Sequence, residues 1–272
     1  MKHQAIRAPR AGRAGRTVRG DCTRLWHDQP MRPNVLPLLL AVCLCAAPIA
    51  VAAPTERVLV FTHTAKFRHD SIPTAVSTLR LLAGRERMAV DQSENPADFN
   101  AANLARYKVV VFANTTGDVL DAEQQQAMEG FIRAGGGFVG VHSAADTEYD
   151  WPWYGQLVGA YFRNHPEGLQ FSRVQPERDG KPVGTFWPVR DELYNYRSNP
   201  RGTVQVIATV DERMYRGGTM GSDHPIAWCH AFDGGRSWYT GLGHDTAVYR
   251  NRDFQAHLRQ GLLYAAGRSS EC

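Results

Sequence analysis

The sequence predicts one α/β domain with a mostly parallel sheet and helices on both of its faces. Short apolar runs typical of buried strands alternate with amphipathic helical stretches from residue 56 to about residue 165. Gly and Pro residues punctuate these stretches, and no internal repeat or low-complexity tract follows residue 56. Residues 53–272 therefore have the pattern and the length of a single domain.

Four strands and two helices are predicted in the first part of this domain. The first helix begins at Asp70 or Ser71 and has Pro73 in its first turn, where its missing amide proton is tolerated. The second helix begins after Asp121, which forms a capping box with Gln124. The four strands are RVLVF (57–61), MAVDQS (88–93), YKVVVFAN (107–114) and FVGV (138–141).

The second part of the domain is less regular, although its end is clear. Asp233-Gly234-Gly235 lies between two apolar runs and predicts a hairpin. The predicted elements are a helix over 151–165, a strand VQVIATV (204–210), the hairpin strands PIAWCHAF (225–232) and RSWYTGLG (236–243), and a closing helix from 253 to about 266.

The N-terminal residues have the features of an export signal and not of folded protein. Residues 34–52 form a short apolar segment after Arg32 and end in Ala50-Val51-Ala52, a small-x-small cleavage pattern. We interpret residues 31–52 as a signal peptide and residues 1–30 as a mis-assigned start or a basic leader. The protein is then exported, either to the periplasm or into the medium; an uncleaved anchor is the alternative.

Removal of this leader changes the charge balance. Residues 1–52 hold eight Lys/Arg and two Asp, a net +6, so their loss turns the formal charge of +4 into −2. The basicity of the whole chain therefore gives no reason to expect nucleic acid as a partner.

No membrane span is expected in the mature protein. Its two cysteines, Cys229 and Cys272, are too few for a disulfide framework. One bridge could join them, but the apolar strand around Cys229 favours a buried thiol.

Polar residues follow several of the predicted strands at the point where each strand ends. In an open parallel sheet ligands bind beyond the carboxyl ends of the strands, so these residues are expected at one crevice. They are His63 after the first strand, Thr115 after the third, His142 and Ser143 after the fourth, and His244 and Asp245 after the last.

Geometry places two further histidines at the same crevice. The first strand of the hairpin begins at the edge where the second one ends, which puts His224 near His244. His69 precedes the first helix and can lean over the first strand. Three histidines are expected to be structural instead: His165, His230 and His257.

A histidine cluster allows two kinds of chemistry near neutral pH. Neutral rings can ligate zinc or a similar divalent metal, and the candidate ligands are His63, His142, His224 and His244. Alternatively, His142, His244 and His63 are catalytic acids or bases while other groups bind the substrate. The spacing matches no HExxH-like motif, and a single histidine at a strand end is more often structural, so these alternatives stay open.

Residues near His142 supply candidate substrate-binding groups. Trp151 and Trp153 could stack on a sugar ring, with packing beneath the loop as an equal alternative. Asp146 could be an acid, a base or a metal ligand, and segment 191–195 could reach over the crevice or cap a turn. The candidate substrate-binding residues are His69, Thr115, Ser143, Asp146, Trp151, Trp153, His224 and Asp245.

Six segments, in order along almost the whole mature chain, give the sequence its resemblance to the ThuA-like family, which is named for trehalose utilisation. The segments are VLVFTHTAKFRH (58–69), YKVVVFANTTGD (107–118), GGGFVGVHSAADTEYDWPWYGQLVGAYFRNHP (135–166), RDELYN (190–195), DHPIAW (223–228) and GRSWYTGLGHD (235–245). The resemblance implies a flavodoxin-like, class I glutamine amidotransferase-like three-layer sandwich. Those amidotransferases present a cysteine where this chain has His142, so glutamine hydrolysis through a thiol is not expected.

The resemblance also implies a carbohydrate substrate, a disaccharide or a glycoside, including its 3-keto form made by a partner sugar oxidoreductase. A 3-keto group acidifies the neighbouring C–H, so a histidine base could start an elimination that expels the glycosidic oxygen. The alternatives are a sugar-binding accessory protein without chemistry and a metal-dependent hydrolase.

Overall fold

The computed structural model describes residues 56–272, in which strands and helices alternate through the first half of the chain. The strands are β1 (Glu56–Phe61), β2 (Met88–Ser93), β3 (Val109–Ala113), β4 (Gly137–Val141), β5 (Phe162–Asn164), β6 (Gln170–Arg178), β7 (Lys181–Pro182), β8 (Trp187–Asp191), β9 (Asn195–Tyr196), β10 (Gln205–Val210), β11 (Pro225–Phe232) and β12 (Gly235–Thr240). The helices are α1 (Ile72–Arg85), α2 (Ala101–Leu104), α3 (Ala122–Arg133), α4 (Pro152–Val158) and α5 (Arg252–Ala265).

Five parallel strands form the centre of the fold. They lie in the order β2-β1-β3-β4-β12, and every neighbouring pair among them is parallel. This is the 2-1-3-4-5 order of flavodoxin-like sheets, with β12 in the fifth position. The predicted fold class is confirmed, and the carboxyl ends of β1, β3, β4 and β12 share one edge.

An antiparallel extension continues the same sheet beyond β12. It runs through β11, β10 and β6, and both β7 and β8 pair with β6. β5 and β9 form a separate two-stranded ribbon. The extension matters for function because the loop that follows β8 returns to the carboxyl edge of the parallel strands.

Alternation along the strands fills two hydrophobic cores, one on each face of the sheet. In β1, Val58 and Val60 face the core under α1 and α5, whereas Leu59 and Phe61 face the core under α2, α3 and α4. A strand buried on both faces reads as a continuous apolar run, which explains the signal in the sequence. The domain is thus a three-layer sandwich.

Helix boundaries agree with the sequence where capping chemistry is explicit. Asp121 and Gln124 form the predicted capping box of α3. The predicted helix over 151–165 is wrong in its second half, since α4 ends at Val158 and β5 follows. Gly159 ends the helix with φ +92°, and a Cβ there would lie 2.5 Å from Nε1 of Trp228.

The sequence favoured a buried thiol at Cys229, and this prediction is wrong. Cys229 forms a disulfide with Cys272. The segment after α5 returns to β11, and the two Cα atoms lie 6.3 Å apart. The bridge therefore fastens the C-terminal segment to the sheet.

The predicted leader and signal peptide, residues 1–52, lie outside the described residues. Within residues 56–272, none of the helices is long and apolar enough to cross a membrane.

Candidate functional site

Three histidines and one glutamate converge at the carboxyl edge of the parallel strands. His69, His142, Glu192 and His244 each offer one donor atom, and these four atoms all lie within 4.8 Å of one another. The first three residues are buried and His244 is partly exposed. We call this group the histidine–glutamate cluster.

His142 is held rigidly at the end of β4. Its φ of +52° is unusual for a residue with a side chain and marks a constrained turn. The Tyr239 hydroxyl donates to the His142 carbonyl at 2.8 Å, and the ring of Tyr194 packs at 4.1 Å between centroids. Nδ1 lies 2.8 Å from the Gly241 carbonyl, an acceptor, so Nδ1 carries the proton and Nε2 faces the cluster.

Glu192 is the centre of the cluster, and it comes from the loop after β8. Its Oε2 lies 3.3 Å from Nε2 of His142 and 3.1 Å from Nδ1 of His244. Its Oε1 lies 3.2 Å from Nδ1 of His165, a side chain that is 40% exposed. One carboxylate oxygen therefore faces His142 and His244, and the other faces the exposed His165.

Asp191, the neighbour of Glu192, fixes the loop that carries His244. Its carboxylate is fully buried and accepts hydrogen bonds from the amides of Gly243 at 2.6 Å and Asp245 at 2.8 Å. Gly243 has φ +128°, and a Cβ there would lie 2.8 Å from the Tyr249 hydroxyl oxygen. A glycine is thus required for this close approach.

His69 reaches the cluster from the loop between β1 and α1. Its ring is perpendicular to those of His142 and His244, and each centroid distance is 4.9 Å. Nδ1 of His69 makes a 3.4 Å contact with the Ser143 hydroxyl. Ser143 therefore orients His69 while the adjacent His142 occupies the centre of the site.

Two buried ring nitrogens of the cluster have no hydrogen-bond partner, Nε2 of His142 and Nδ1 of His244. Nε2 is an acceptor in a neutral His142, because Nδ1 already donates to Gly241, and it faces a carboxylate oxygen that also only accepts. Opposed buried acceptors are unfavourable unless a proton or a cation lies between them. His230 and His257 also have an unpartnered nitrogen, but neither lies within salt-bridge distance of a described carboxylate.

Electrostatics in the cluster favour a neutral His69 beside an ionised Glu192 carboxylate. Burial, together with the nearby rings of His142 and His244, lowers the pKa of His69 to about 2. Burial alone would raise the pKa of Glu192, but His142 and His244 lower it overall. Burial likewise opposes protonation of His244, whose pKa is nevertheless raised by Glu192. At neutral pH His69 is available as a neutral ligand.

Two predicted histidines lie outside the cluster. His63 is on the same side of β1 as Phe61, 6.1 Å away between ring centroids, because successive side chains of a strand alternate between faces. His224 does lie at the expected edge, but its ring hydrogen-bonds to the Tyr194 carbonyl, and the Tyr194 ring packs on His142. Tyr194 thus separates His224 from the cluster, and neither His63 nor His224 is among the four residues that converge there.

The predicted sugar-stacking tryptophans are also placed elsewhere. Trp151 is buried, stacks on Trp153 and donates to Glu129 of α3. Trp153 donates to Asp233 in the β11–β12 turn. That turn lies at the amino end of β12, opposite to the edge that carries the cluster. These rings pack against α3 and the β11–β12 turn.

The other predicted residues surround the cluster as supports. Thr115 is buried and hydrogen-bonds with Thr147. Asp245 accepts from the amide of Ala247, as a turn cap, and lies 3.4 Å from Arg190. Asp146 ends the turn that His142 begins, and it accepts a 2.6 Å hydrogen bond from the Tyr149 hydroxyl. Burial raises the pKa of Asp146, against the effect of Tyr149.

The sequence reasoning missed Glu192, His165 and Phe67. Glu192 is in the 191–195 segment that the sequence predicts to reach over the crevice or cap a turn, but its place in the cluster has no signal without a known partner strand for β8. Phe67, an exposed aromatic residue, lies 4.8 Å from His69 between ring centroids. Its position within THTAKFRH, between a strand end and His69, was a usable signal.

Comparisons with known proteins identify the fold and the family. The sequence model of the ThuA family, described as trehalose utilisation, matches residues 57–265. The structure is similar to a ThuA-like protein from Bacteroides uniformis, with 19% identity, a TM-score of 0.65, and coverage of 80% of this chain and 95% of that one. It is also similar to a ThuA-like protein from Parabacteroides merdae, with 19% identity, a TM-score of 0.62, and coverage of 78% and 90%. No curated protein sequence matches this chain.

Proposed function

Because this chain belongs to the ThuA trehalose-utilisation family, we propose that it is a carbohydrate-active enzyme whose catalytic centre is a divalent cation held by the histidine–glutamate cluster. Family membership indicates the carbohydrate-related role. The observation that supports the cation is the convergence of two unpartnered histidine nitrogens on one oxygen of Glu192. A cation in this position satisfies all three atoms at once.

The donor set and its spacing suit zinc or a similar ion. Three imidazole nitrogens and one carboxylate oxygen are common ligands of such ions. Ligand atoms of a tetrahedral zinc ion, at about 2.1 Å from the metal, lie roughly 3.4 Å from one another. The 3.1 and 3.3 Å separations around Glu192 are close to that value. Across the whole cluster the donor atoms lie within 4.8 Å of one another, so ligation requires the wider pairs to move closer together.

The supporting contacts are those expected around a metal centre. Metal-bound histidines usually donate their other nitrogen to a carbonyl or a polar side chain, which fixes the tautomer. His142 donates to the Gly241 carbonyl, and His69 contacts the Ser143 hydroxyl. When bound, a divalent cation acts as a Lewis acid on sugar oxygens and lowers the pKa of water.

We assign proton transfer to Asp146. With His142 and His244 as ligands, neither ring is free to act as the base, whereas Asp146 is partly exposed and on the same turn as His142. On a 3-keto-glycoside, Asp146 takes the proton from C2, the C1–C2 double bond forms, and the C1–O bond breaks. The released oxygen of the leaving sugar then takes up a proton. The keto-sugar is supplied by a sugar oxidoreductase acting before this protein.

Metal analysis tests the centre directly. We expect about one divalent ion per chain in untagged protein purified without chelator and equilibrated with zinc, manganese, cobalt or nickel. His142→Ala removes a ligand and should lose the ion. His230→Ala is the matched control, because His230 hydrogen-bonds to the Gln156 carbonyl in α4 and lies outside the cluster.

Turnover is assayed on 3-keto-trehalose and on 3-keto-glucosides with the same three proteins. Turnover that is lost with chelator and restored by one metal supports the proposed enzyme. Absence of any bound metal in the wild-type protein would refute the metal centre. The cluster histidines would then be acids, bases or sugar-binding groups. The raised pKa of His244 favours a role in proton transfer for that residue.

We further propose that the protein works in an oxidising compartment, the periplasm or the medium. The Cys229–Cys272 disulfide supports this, because such bonds persist mainly outside the cytoplasm. Peptide mapping of protein recovered from the native periplasm and medium should find the bridge formed. Reduced cysteines in that material, or recovery only from the cytoplasm, would contradict export.

A further inference from the structure

The exposed phenyl ring of Phe67 borders the histidine–glutamate cluster. Phe67 is 63% exposed, although it lies next to buried ligands. Its ring meets His69 edge-on, with centroids 4.8 Å apart, and lies within 13° of parallel to His244 at 6.5 Å. Phe67 thus presents one apolar face at the mouth of the site.

The backbone around Phe67 is fixed in place. The Phe67 carbonyl accepts a 2.8 Å hydrogen bond from the Thr116 hydroxyl, and the Lys66 amide donates to the same hydroxyl at 3.3 Å. The amide of Ala65 donates to the Thr116 carbonyl at 2.8 Å. The exposure of the ring therefore belongs to an anchored loop, and its position relative to the cluster is set before any ligand binds.

The surroundings of Phe67 suit a small hydroxylated ligand better than an apolar protein surface. Its exposed neighbours in the loop include three charged residues, Lys66, Arg68 and Asp70. Lys66 runs over Gly117 towards Tyr149, 5.6 Å from that ring. Arg68 is paired with Glu94 at 2.6 Å, so the rim combines one apolar face with the Lys66 ammonium group, which can donate to hydroxyl groups.

We propose that Phe67 is the stacking platform for the second ring of a disaccharide or glycoside whose first ring lies at the cluster. This rests on the proposed function and names its substrate class more closely. A pyranose ring has an apolar face of C–H groups that can cover an aromatic ring. Phe67 is more exposed than His69 and His244, so it contacts the sugar ring next to the one that reacts. Phe67 therefore selects substrates with two rings.

Binding of unoxidised sugars tests this without requiring turnover. Isothermal titration calorimetry of trehalose into the full mature protein should give an affinity about tenfold weaker for Phe67→Ala than for wild type, with recovery in Phe67→Trp. Methyl α-glucoside lacks a second ring, and its affinity should change by less than about twofold. Phe171→Ala is the matched control, because Phe171 is also 63% exposed but lies near Arg190, not near the cluster histidines.

Equal affinity of Phe67→Ala and wild type for trehalose would overturn the proposal. Equal weakening for both sugars would also overturn it, since Phe67 would then not act on the second ring. Failure of the wild-type protein to bind trehalose would also overturn the proposal. Metal content and turnover of the wild-type protein report separately on the proposed function, and metal content should be unchanged in Phe67→Ala.

Discussion

The cluster around His142 and the group around His224 contain similar residues in different states. Each has a fully buried histidine beside a glutamate, and the two are separated by Tyr194. Nδ1 of His224 lies 2.8 Å from both the Tyr215 hydroxyl and Glu212 Oε1, and Nε2 donates to the Tyr194 carbonyl. Both of its nitrogens are partnered, whereas Nε2 of His142 is not.

The difference teaches that burial and charge do not by themselves indicate function. Both oxygens of the Glu212 carboxylate also have hydrogen-bond donors, because they accept from the amides of Met220 at 2.8 Å and Gly221 at 3.0 Å. Burial lowers the pKa of His224, and the Tyr194 carbonyl and Glu212 only oppose that shift. Around His224 both ring nitrogens have hydrogen-bond partners, and such a network stabilises the fold. Around His142 and His244 two nitrogens lack a partner and can bind a ligand.

The largest expected effect comes from His142→Ala. We expect loss of the bound metal and a fall in kcat/KM on the order of 1000-fold, because a ligand at the centre of the cluster is removed. Unfolding by denaturant shows whether the variant stays folded. A variant with full metal content and wild-type turnover would remove the distinction between the two histidine groups.

A half-buried histidine outside both groups predicts a pH dependence of stability. Burial among apolar side chains lowers the pKa of His257 from 6.5 to about 4. The unfolded chain binds a proton there that the folded chain does not, so stability is retained above pH 6.5 and falls as the pH drops towards 4. The loss due to this residue is on the order of 1–2 kcal/mol, because the side chain is only partly buried.

Urea unfolding at a series of pH values measures that effect. His257→Gln removes the titrating group, and its free energy of unfolding should depend less steeply on pH between 6.5 and 4 than that of wild type. Equal slopes for the two proteins would show that His257 is not kept neutral by the fold.

His224→Ala should act on stability and not on metal binding. It leaves the Tyr215 hydroxyl and the Tyr194 carbonyl without the hydrogen bonds that His224 gives them, which costs about 2 kcal/mol. Metal analysis should still find about one ion per chain. Loss of the metal in this variant, with little loss of stability, would reverse the roles assigned to the two groups.

The smallest expected effect is that of Ser143→Ala. The hydroxyl contacts Nδ1 of His69, and loss of such a support reduces metal affinity about tenfold. Competition with a chelator of known affinity measures the change. Unchanged affinity would mean that Ser143 is not needed to orient His69.

Much of the fold could be predicted from the sequence, because it rests on local signals. Strands buried on both faces give continuous apolar runs, as in β3 and β4, and the capping box of α3 is explicit. The convergence of His142 and His244 followed from one topological rule, since parallel strands share a carboxyl edge. His63 needed the further step of strand alternation, which places it with Phe61.

The rest depended on contacts between distant parts of the chain. Glu192 follows β8, whose pairing with β6 in the antiparallel extension has no periodic signature in the loop-rich segment. The disulfide required the course of the chain after α5. Trp151 and Trp153 were placed near His142 by sequence proximity, but the chain turns from the edge of the sheet towards α3 and the β11–β12 turn.

X-ray absorption at the zinc edge of the zinc-loaded protein tests the central claim most directly. We expect three imidazole nitrogens and one carboxylate oxygen bound to the zinc ion at roughly 2.0–2.2 Å. The signal should be lost in His142→Ala. A shell without imidazole, or an identical spectrum in that variant, would show that the histidine–glutamate cluster is not the metal centre.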